Sequence, residues 1–171
     1  MIPDIKKILY TTDLSQNSAH AFRYAINFSK KFDAEIIILH IIEEMSPDAK
    51  LAFEAYFNKQ YRKEISNEKV TRVIERIKNR LKMFCDKELA NDPKCAEKIT
   101  SIEVCQGYPE EEILNKANEY NCDAIIMGTH EKGITHTFLG SVAKRVLRRS
   151  RKPIFIIPLP KGETDITFHD M

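Results

Sequence analysis

The residues of this chain most able to do chemistry lie in one stretch: Gly128-Thr129-His130-Glu131-Lys132-Gly133-Ile134-Thr135-His136-Thr137-Phe138-Leu139-Gly140-Ser141-Val142. The chain has only five glycines, and Gly128, Gly133 and Gly140 all fall here. Glycine permits positive φ and close backbone approach to a ligand. Gly140-Ser141 stands where a helix should begin. A helix start carries free N–H groups and the positive end of the helix dipole, which together suit an anion. Ser141 adds a hydroxyl donor. The pattern describes a phosphate site. A strand–loop–helix connection that uses glycine only for turning would leave the same trace.

No other stretch offers a complete catalytic set. Gly128 and Gly133 have the first spacing of a P-loop, but Ile134-Thr135 replaces Lys-Ser/Thr. No serine has a nucleophile-elbow context. Glu110, Glu111 and Glu112 follow Pro109 and read as acids at the positive end of a helix rather than as an acid–base pair. Cys85, Cys95, Cys105 and Cys122 are never closer than ten residues and form no CxxC or zinc spacing. They read as reduced thiols. His20, His40, His136 and His169 show no ligand spacing. No catalytic residue and no metal site is assigned. The basic run Lys144, Arg145, Arg148, Arg149, Arg151 and Lys152 lacks interleaved aromatics and reads as a solvated helix face. With 27 basic and 25 acidic residues the net charge is +2, so nucleic acid is not an expected partner.

The elements that must position the glycine stretch alternate between two periodicities. Short apolar runs at Ile5–Tyr10, Glu35–Ile42, Ile99–Gln106, Cys122–Met127 and Pro153–Pro158 read as strands. Helices are predicted from about Ser15 to Asp33, over Asn67–Leu89, from Pro109 to about Tyr120, and from Gly140 to Arg149, with Ser46-Pro47 opening a further helical segment. Glu35–Ile42 is nearly all apolar, as strands of parallel sheets are. Five strands alternating with helices predict an α/β fold: a five-stranded parallel sheet with helices on both faces. Ligands in such sheets bind beyond the carboxyl ends of the strands at the switch point. That places interest at Asp13 and at Gly128. The 171 residues make one domain, 1–160, in which 45–97 is a long helical connection between the second and third strands. The polar tail 161–171 is expected to be mobile. No apolar run approaches the ~20 residues of a membrane helix, and the N-terminus lacks an apolar signal core. A cytoplasmic protein with no membrane partner is expected.

Five blocks of this sequence resemble the universal stress protein family. They are Ile8-Leu9-Tyr10-Thr11-Thr12-Asp13-Leu14-Ser15 with Glu35–Ile42; Gly107-Tyr108-Pro109-Glu110-Glu111-Glu112-Ile113-Leu114; Asp123-Ala124-Ile125-Ile126-Met127-Gly128-Thr129-His130; Leu139-Gly140-Ser141-Val142-Ala143 with Val146-Leu147-Arg148; and Pro153–Pro158. The resemblance spans residues 4 to 158. It implies a Rossmann-like fold of the adenine-nucleotide alpha hydrolase-like kind, and a homodimer formed through strand 153–158.

It also implies an adenine nucleotide, ATP or AMP, with magnesium as an optional companion. By position, Thr12 and Asp13 should meet the ribose or adenine, with Ile41 and Met127 against the base. Gly128, His130 and Gly133 should border the ribose and phosphates. Gly140, Ser141, Val142 and Ala143 should hold phosphate oxygens. The residues themselves leave other readings open. Asp13 could cap the first helix, Ile41 and Met127 could be core, and His130 could be a solvated loop residue. The sequence departs from the family's Gly-x2-Gly-x9-Gly-Ser/Thr pattern. Glu131 replaces the second glycine, and eight residues, Lys132–Leu139, separate it from Gly140. A carboxylate there repels a phosphate chain unless a cation lies between them. Three functions follow. The first is a nucleotide-binding module in stress response or signalling. The second is a nucleotide-free interaction module closed by Glu131. The third is a slow ATP hydrolase using Glu131 or His130. The aromatics Phe53, Tyr56, Phe57 and Tyr61 suggest a lid or arm over 45–67, or packing on the domain's own sheet edge.

Overall fold

A computed structural model describes residues 2–56, 63–129, 139–158 and 168. Five strands, β1 (Lys7–Thr12), β2 (Glu35–Glu43), β3 (Ile99–Gly107), β4 (Ala124–Gly128) and β5 (Ile154–Ile157), form one sheet. Around it lie α1 (Gln16–Phe32), α2 (Pro47–Tyr56), α3 (Lys63–Glu88), α4 (Pro93–Ala96), α5 (Pro109–Glu119) and α6 (Ser141–Arg149). Every pairing is parallel and the strand order is β3-β2-β1-β4-β5. The chain winds outward from β1 to β3, then returns to the other side of β1 with β4. The switch point therefore lies between β1 and β4.

Local chemistry explains most boundaries. Ser15 caps α1 with its side chain, which accepts from the Ser18 N–H. Asp33 ends α1 in the left-handed conformation, and its N–H bonds to the Ser29 carbonyl. Proline stands first in α2, α4 and α5, where its missing N–H costs nothing. Two boundaries move from the sequence expectation. β1 covers Lys7–Thr12 rather than Ile5–Tyr10, because it pairs in register from Lys7↔Glu35 to Thr12↔His40. That shift brings Thr12 inside the sheet. The Asn91-Asp92-Pro93 break, expected only to stop a helix, also starts one. The Asp92 side chain accepts from the Cys95 N–H at 3.3 Å and caps the single turn α4.

Alternate side chains of the strands build two cores. Ile8, Tyr10, Ile36, Ile38 and Ile126 pack under α1 and α3 with Phe22, Leu81 and Phe84. Leu9, Ile37, Leu39, Ile125 and Met127 pack under α5 and α6 with Ile113, Ala117, Ala143 and Val146. Of the tail 161–171 the structure describes Phe168. This residue is fully buried, its ring lies 4.2 Å from that of Phe84, and its carbonyl accepts from the Arg80 Nε–H at 2.7 Å. An aromatic ring recovers more by burial than a polar tail composition suggests. The rest of that tail lies outside the described residues.

Candidate functional site

The carboxyl end of β1 turns into α1 through Thr12-Asp13-Leu14-Ser15. Side chains tie this turn down closely. The Leu14 N–H donates to Thr12 Oγ1 at 3.0 Å, and the Ser15 N–H donates to Asp13 Oδ1 at 3.0 Å. Thr12 Oγ1 also shares a hydrogen bond of 2.8 Å with Ser18 Oγ in α1. Leu14 sits at φ 63°, a left-handed conformation that a branched side chain adopts only under constraint. Thr12 is 5% exposed and its hydroxyl is spent inside the turn. Asp13 is exposed at the strand end. The cap of α1 is Ser15, so Asp13 closes an Asx turn instead of capping the helix.

One strand over, His40 of β2 lies directly opposite Thr12. Its Nδ1 is 2.8 Å from the Thr12 carbonyl oxygen. A carbonyl only accepts, so Nδ1 carries the proton. Burial pushes the imidazole below its ordinary range, while the Thr12 carbonyl and the Asp13 charge pull the other way. Ile41, the next residue, points to the opposite face and packs against the α5–α6 core.

At the end of β4, glycine is a steric requirement. A Cβ on Gly128 would lie 2.5 Å from Asn17 Oδ1 and 3.2 Å from the Asn17 backbone carbonyl carbon. Asn17, in the first turn of α1, is buried, and its Nδ2–H reaches the Ile157 carbonyl of β5 at 3.3 Å. The Thr129 N–H donates to the same carbonyl at 3.1 Å. Asn17 Oδ1 is buried with no hydrogen-bond partner among the described residues. Asn17 thus wedges α1 against the ends of β4 and β5.

The start of α6 differs from that of α1. Gly140 is its N-cap, and no side chain caps it. Gly140 has φ −63°, which any residue can adopt, so the backbone at this position does not itself demand glycine. Ser141 is exposed, Val142 half-buried, and Ala143 3% exposed. Val142 and Ala143 belong to the same packed cluster as Ile41, Met127 and Leu139. Farther along, Arg145 Nη1 lies 3.1 Å from Glu110 Oε1 and Arg149 Nη1 lies 3.8 Å from Glu111 Oε1. These pairs brace α6 against α5. The acids at the start of α5 thus meet two cations of the basic run.

The structure therefore gathers Ile41, Met127, Val142 and Ala143 into one cluster. Asp13 and Gly128 stand at the ends of the two strands flanking the switch point. His130 and Gly133, with Glu131, lie outside the described residues, as do Phe57 and Tyr61 of the expected arm. Among the described residues no group of three metal-ligating side chains forms. No helix among them is long and apolar enough to cross a membrane. Sequence reasoning passed over Asn17, Ser18 and His40 as working parts of this region. Asn17 and Ser18 did leave a signal, since they are polar residues on the α1 face that Phe22, Ala25 and Ile26 bury. The lone polar residue inside the apolar β2 run was the signal for His40.

These residues fit an adenine nucleotide. Gly140, the N-cap of α6, makes no side-chain cap hydrogen bond, and a helix start of this kind at Ser141, Val142 and Ala143 suits phosphate oxygens. Ile41 and Met127 offer apolar surface for a base, and Asp13 offers a carboxylate for ribose hydroxyls. Residues 4–158 match the universal stress protein family. Universal stress protein MJ0577 of Methanocaldococcus jannaschii is 34% identical over 158 residues, covering 89% of this chain and 94% of that protein. The solved structure of MJ0577 aligns with a TM-score of 0.66 and 29% identity over 92% of this chain and 99% of that chain. A universal stress protein solved in complex with cAMP shares the fold, with a TM-score of 0.51 and 19% identity over 91% of this chain and 98% of that chain.

Proposed function

This chain belongs to the universal stress protein family, and from that premise we propose that it binds an adenine nucleotide across the carboxyl ends of β1 and β4. The observation that carries the reading is the start of α6. It follows the strand at the switch point, carries no side-chain cap, and has a glycine that its own backbone does not require. Phosphate oxygens would take the N–H groups of Ser141, Val142 and Ala143, with the Ser141 hydroxyl beside them. Asp13 would hold the ribose. Ile41 and Met127 would face the base, and Gly128 would let the backbone approach. A relative of this fold solved with cAMP supports an adenine ligand. The nucleotide acts as a signal held without turnover in stress response or signalling. The module works as a homodimer through β5, which pairs on one side only, with β4.

The test is to denature freshly purified protein and identify the released small molecules by liquid chromatography and mass spectrometry. Calorimetry of the emptied protein with ATP and AMP, with and without magnesium, follows. The reading expects near-stoichiometric adenine nucleotide, or saturable heat together with a raised unfolding temperature. An empty extract with no heat at millimolar nucleotide would overturn it and favour the nucleotide-free module with Glu131 as the reason. Light scattering with and without nucleotide measures the dimer separately.

A further inference from the structure

We propose that His40 is a positioning residue of the candidate nucleotide site: from β2 it holds the β1–α1 turn, and with it Asp13, in ligand-receiving shape through one hydrogen bond to the Thr12 carbonyl. The inference rests on the nucleotide reading above and names a residue that reading did not use.

The turn is strained and must be held. Leu14 at φ 63° is a branched residue in a region most side chains avoid, and such outliers persist only where their surroundings over-determine them. Two restraints come from within the turn, from Thr12 Oγ1 to the Leu14 N–H and from Asp13 Oδ1 to the Ser15 N–H. A third joins Thr12 to Ser18 of the helix that follows. All three lie within the β1–α1 junction itself. The His40 contact is different in kind. It comes from the neighbouring strand, at 2.8 Å, from a ring that is 9% exposed and fixed in register opposite Thr12. It adds a side-chain tether to Thr12, the last residue of β1, whose backbone already pairs in register with β2. Because the partner is a carbonyl, the ring must present Nδ1–H. Burial pulls the pKa of the ring down, while the Thr12 carbonyl and the Asp13 charge pull it up. Ile41, the next residue of β2, reaches the cluster containing Met127 and Ala143. One strand end thus serves both sides of the site.

The test compares His40→Asn, His40→Gln and His40→Ala. Asparagine places an amide nitrogen close to where Nδ1 stood, whereas glutamine extends toward the Nε2 position and alanine removes the donor. Calorimetry with ATP and AMP reads affinity, and nitrogen-15 spectra of the native protein read the histidine tautomer. The expected spectrum shows His40 with its proton on Nδ1. His40→Gln and His40→Ala should each weaken binding about five- to tenfold, and His40→Asn should stay within about twofold of the native chain. Should His40→Ala fail to fold, the Asn–Gln pair and the native spectrum still decide. Equal affinity in all variants would overturn the proposal. So would an equal loss in His40→Asn, or a proton on Nε2. A native chain that binds no nucleotide would sink the site reading and this inference together. Native binding with indifferent variants would sink only the role of His40.

Discussion

Two strand-to-helix junctions face each other across the switch point, and they treat their backbones in opposite ways. At the β1–α1 junction Ser15 caps the helix, Asp13 and Thr12 bond the turn's own N–H groups, and Ser18 bonds Thr12. At the start of α6, Gly140 caps nothing with a side chain. The first junction is closed on itself and serves as a fixed wall. The second has an N-cap residue with no side chain to bond the first N–H groups of its helix. A helix start that is exposed, as Ser141 is, can take its partners from water or from a ligand. Binding capacity is therefore read from what a junction leaves unbonded, and rigidity from what it bonds.

The largest test of this contrast strikes the wedge between the two junctions. Gly128→Ala places a Cβ 2.5 Å from Asn17 Oδ1 and should cost about 2–3 kcal/mol of stability, measured by urea unfolding. Adding Asn17→Ala should recover part of that loss. If Gly128→Ala unfolds like the native chain, the two junctions are not wedged together.

Next in size is the change that makes α6 resemble α1. Gly140→Asp supplies a side-chain acceptor at the helix N-cap and a negative charge beside it. Stability should rise by a few tenths of a kcal/mol, while nucleotide affinity should fall at least about tenfold, or ~1.4 kcal/mol, by calorimetry. Affinity that survives this change would show that phosphate does not use the start of α6.

The converse change is Ser15→Ala. Removing the α1 cap should cost about 1 kcal/mol of stability and leave affinity within about twofold. A large affinity loss at unchanged stability would show that the self-bonded junction is also a ligand surface.

The smallest test is a pH dependence confined to the β1 side. His40 is held below its ordinary value by burial. Above about pH 6.5 the ring is neutral in folded and unfolded chains alike. As pH falls below that value, the unfolded chain takes up a proton that the folded chain still refuses, so stability drops toward the lower folded pKa. Unfolding midpoints between about pH 7.5 and about pH 5.5 should show this slope in the native chain and lose part of it in His40→Asn. An identical slope in both would assign the pH dependence to other groups.

Much of the fold was legible because its signals are periodic. The unbroken apolar run of β2 gave away a strand buried from Ile36 to His40, and the Phe22, Ala25, Ile26, Ser29 spacing gave away the buried face of α1. Pro47 and Pro109 marked helix starts at the residues where they occur. What escaped was set by pairing and by single contacts. The register of β1 depends on β2, so the two-residue shift that buries Thr12 had no local signal. Asn17, Ser18 and His40 look like misplaced polar residues until their partners are known: distant backbone carbonyls for Asn17 and His40, and the Thr12 hydroxyl across the turn for Ser18. Of the site, the ends of β1 and β4 and the start of α6 were visible in residue type alone. The division of labour between the two junctions was not, because whether a helix N–H is spent or spare depends on what lies next to it in space.

The burial of Phe168 against Phe84 has a consequence for the order in which the molecule takes shape. That contact closes a loop holding α4, β3, α5, β4, α6 and β5, so forming it brings a large closure entropy late in folding. Docking of Phe168 on the latter part of α3 would then be the last contact to lock and the first to open. The Phe168 amide should exchange with solvent ahead of those in the central strands, even though its side chain is as deeply buried as theirs.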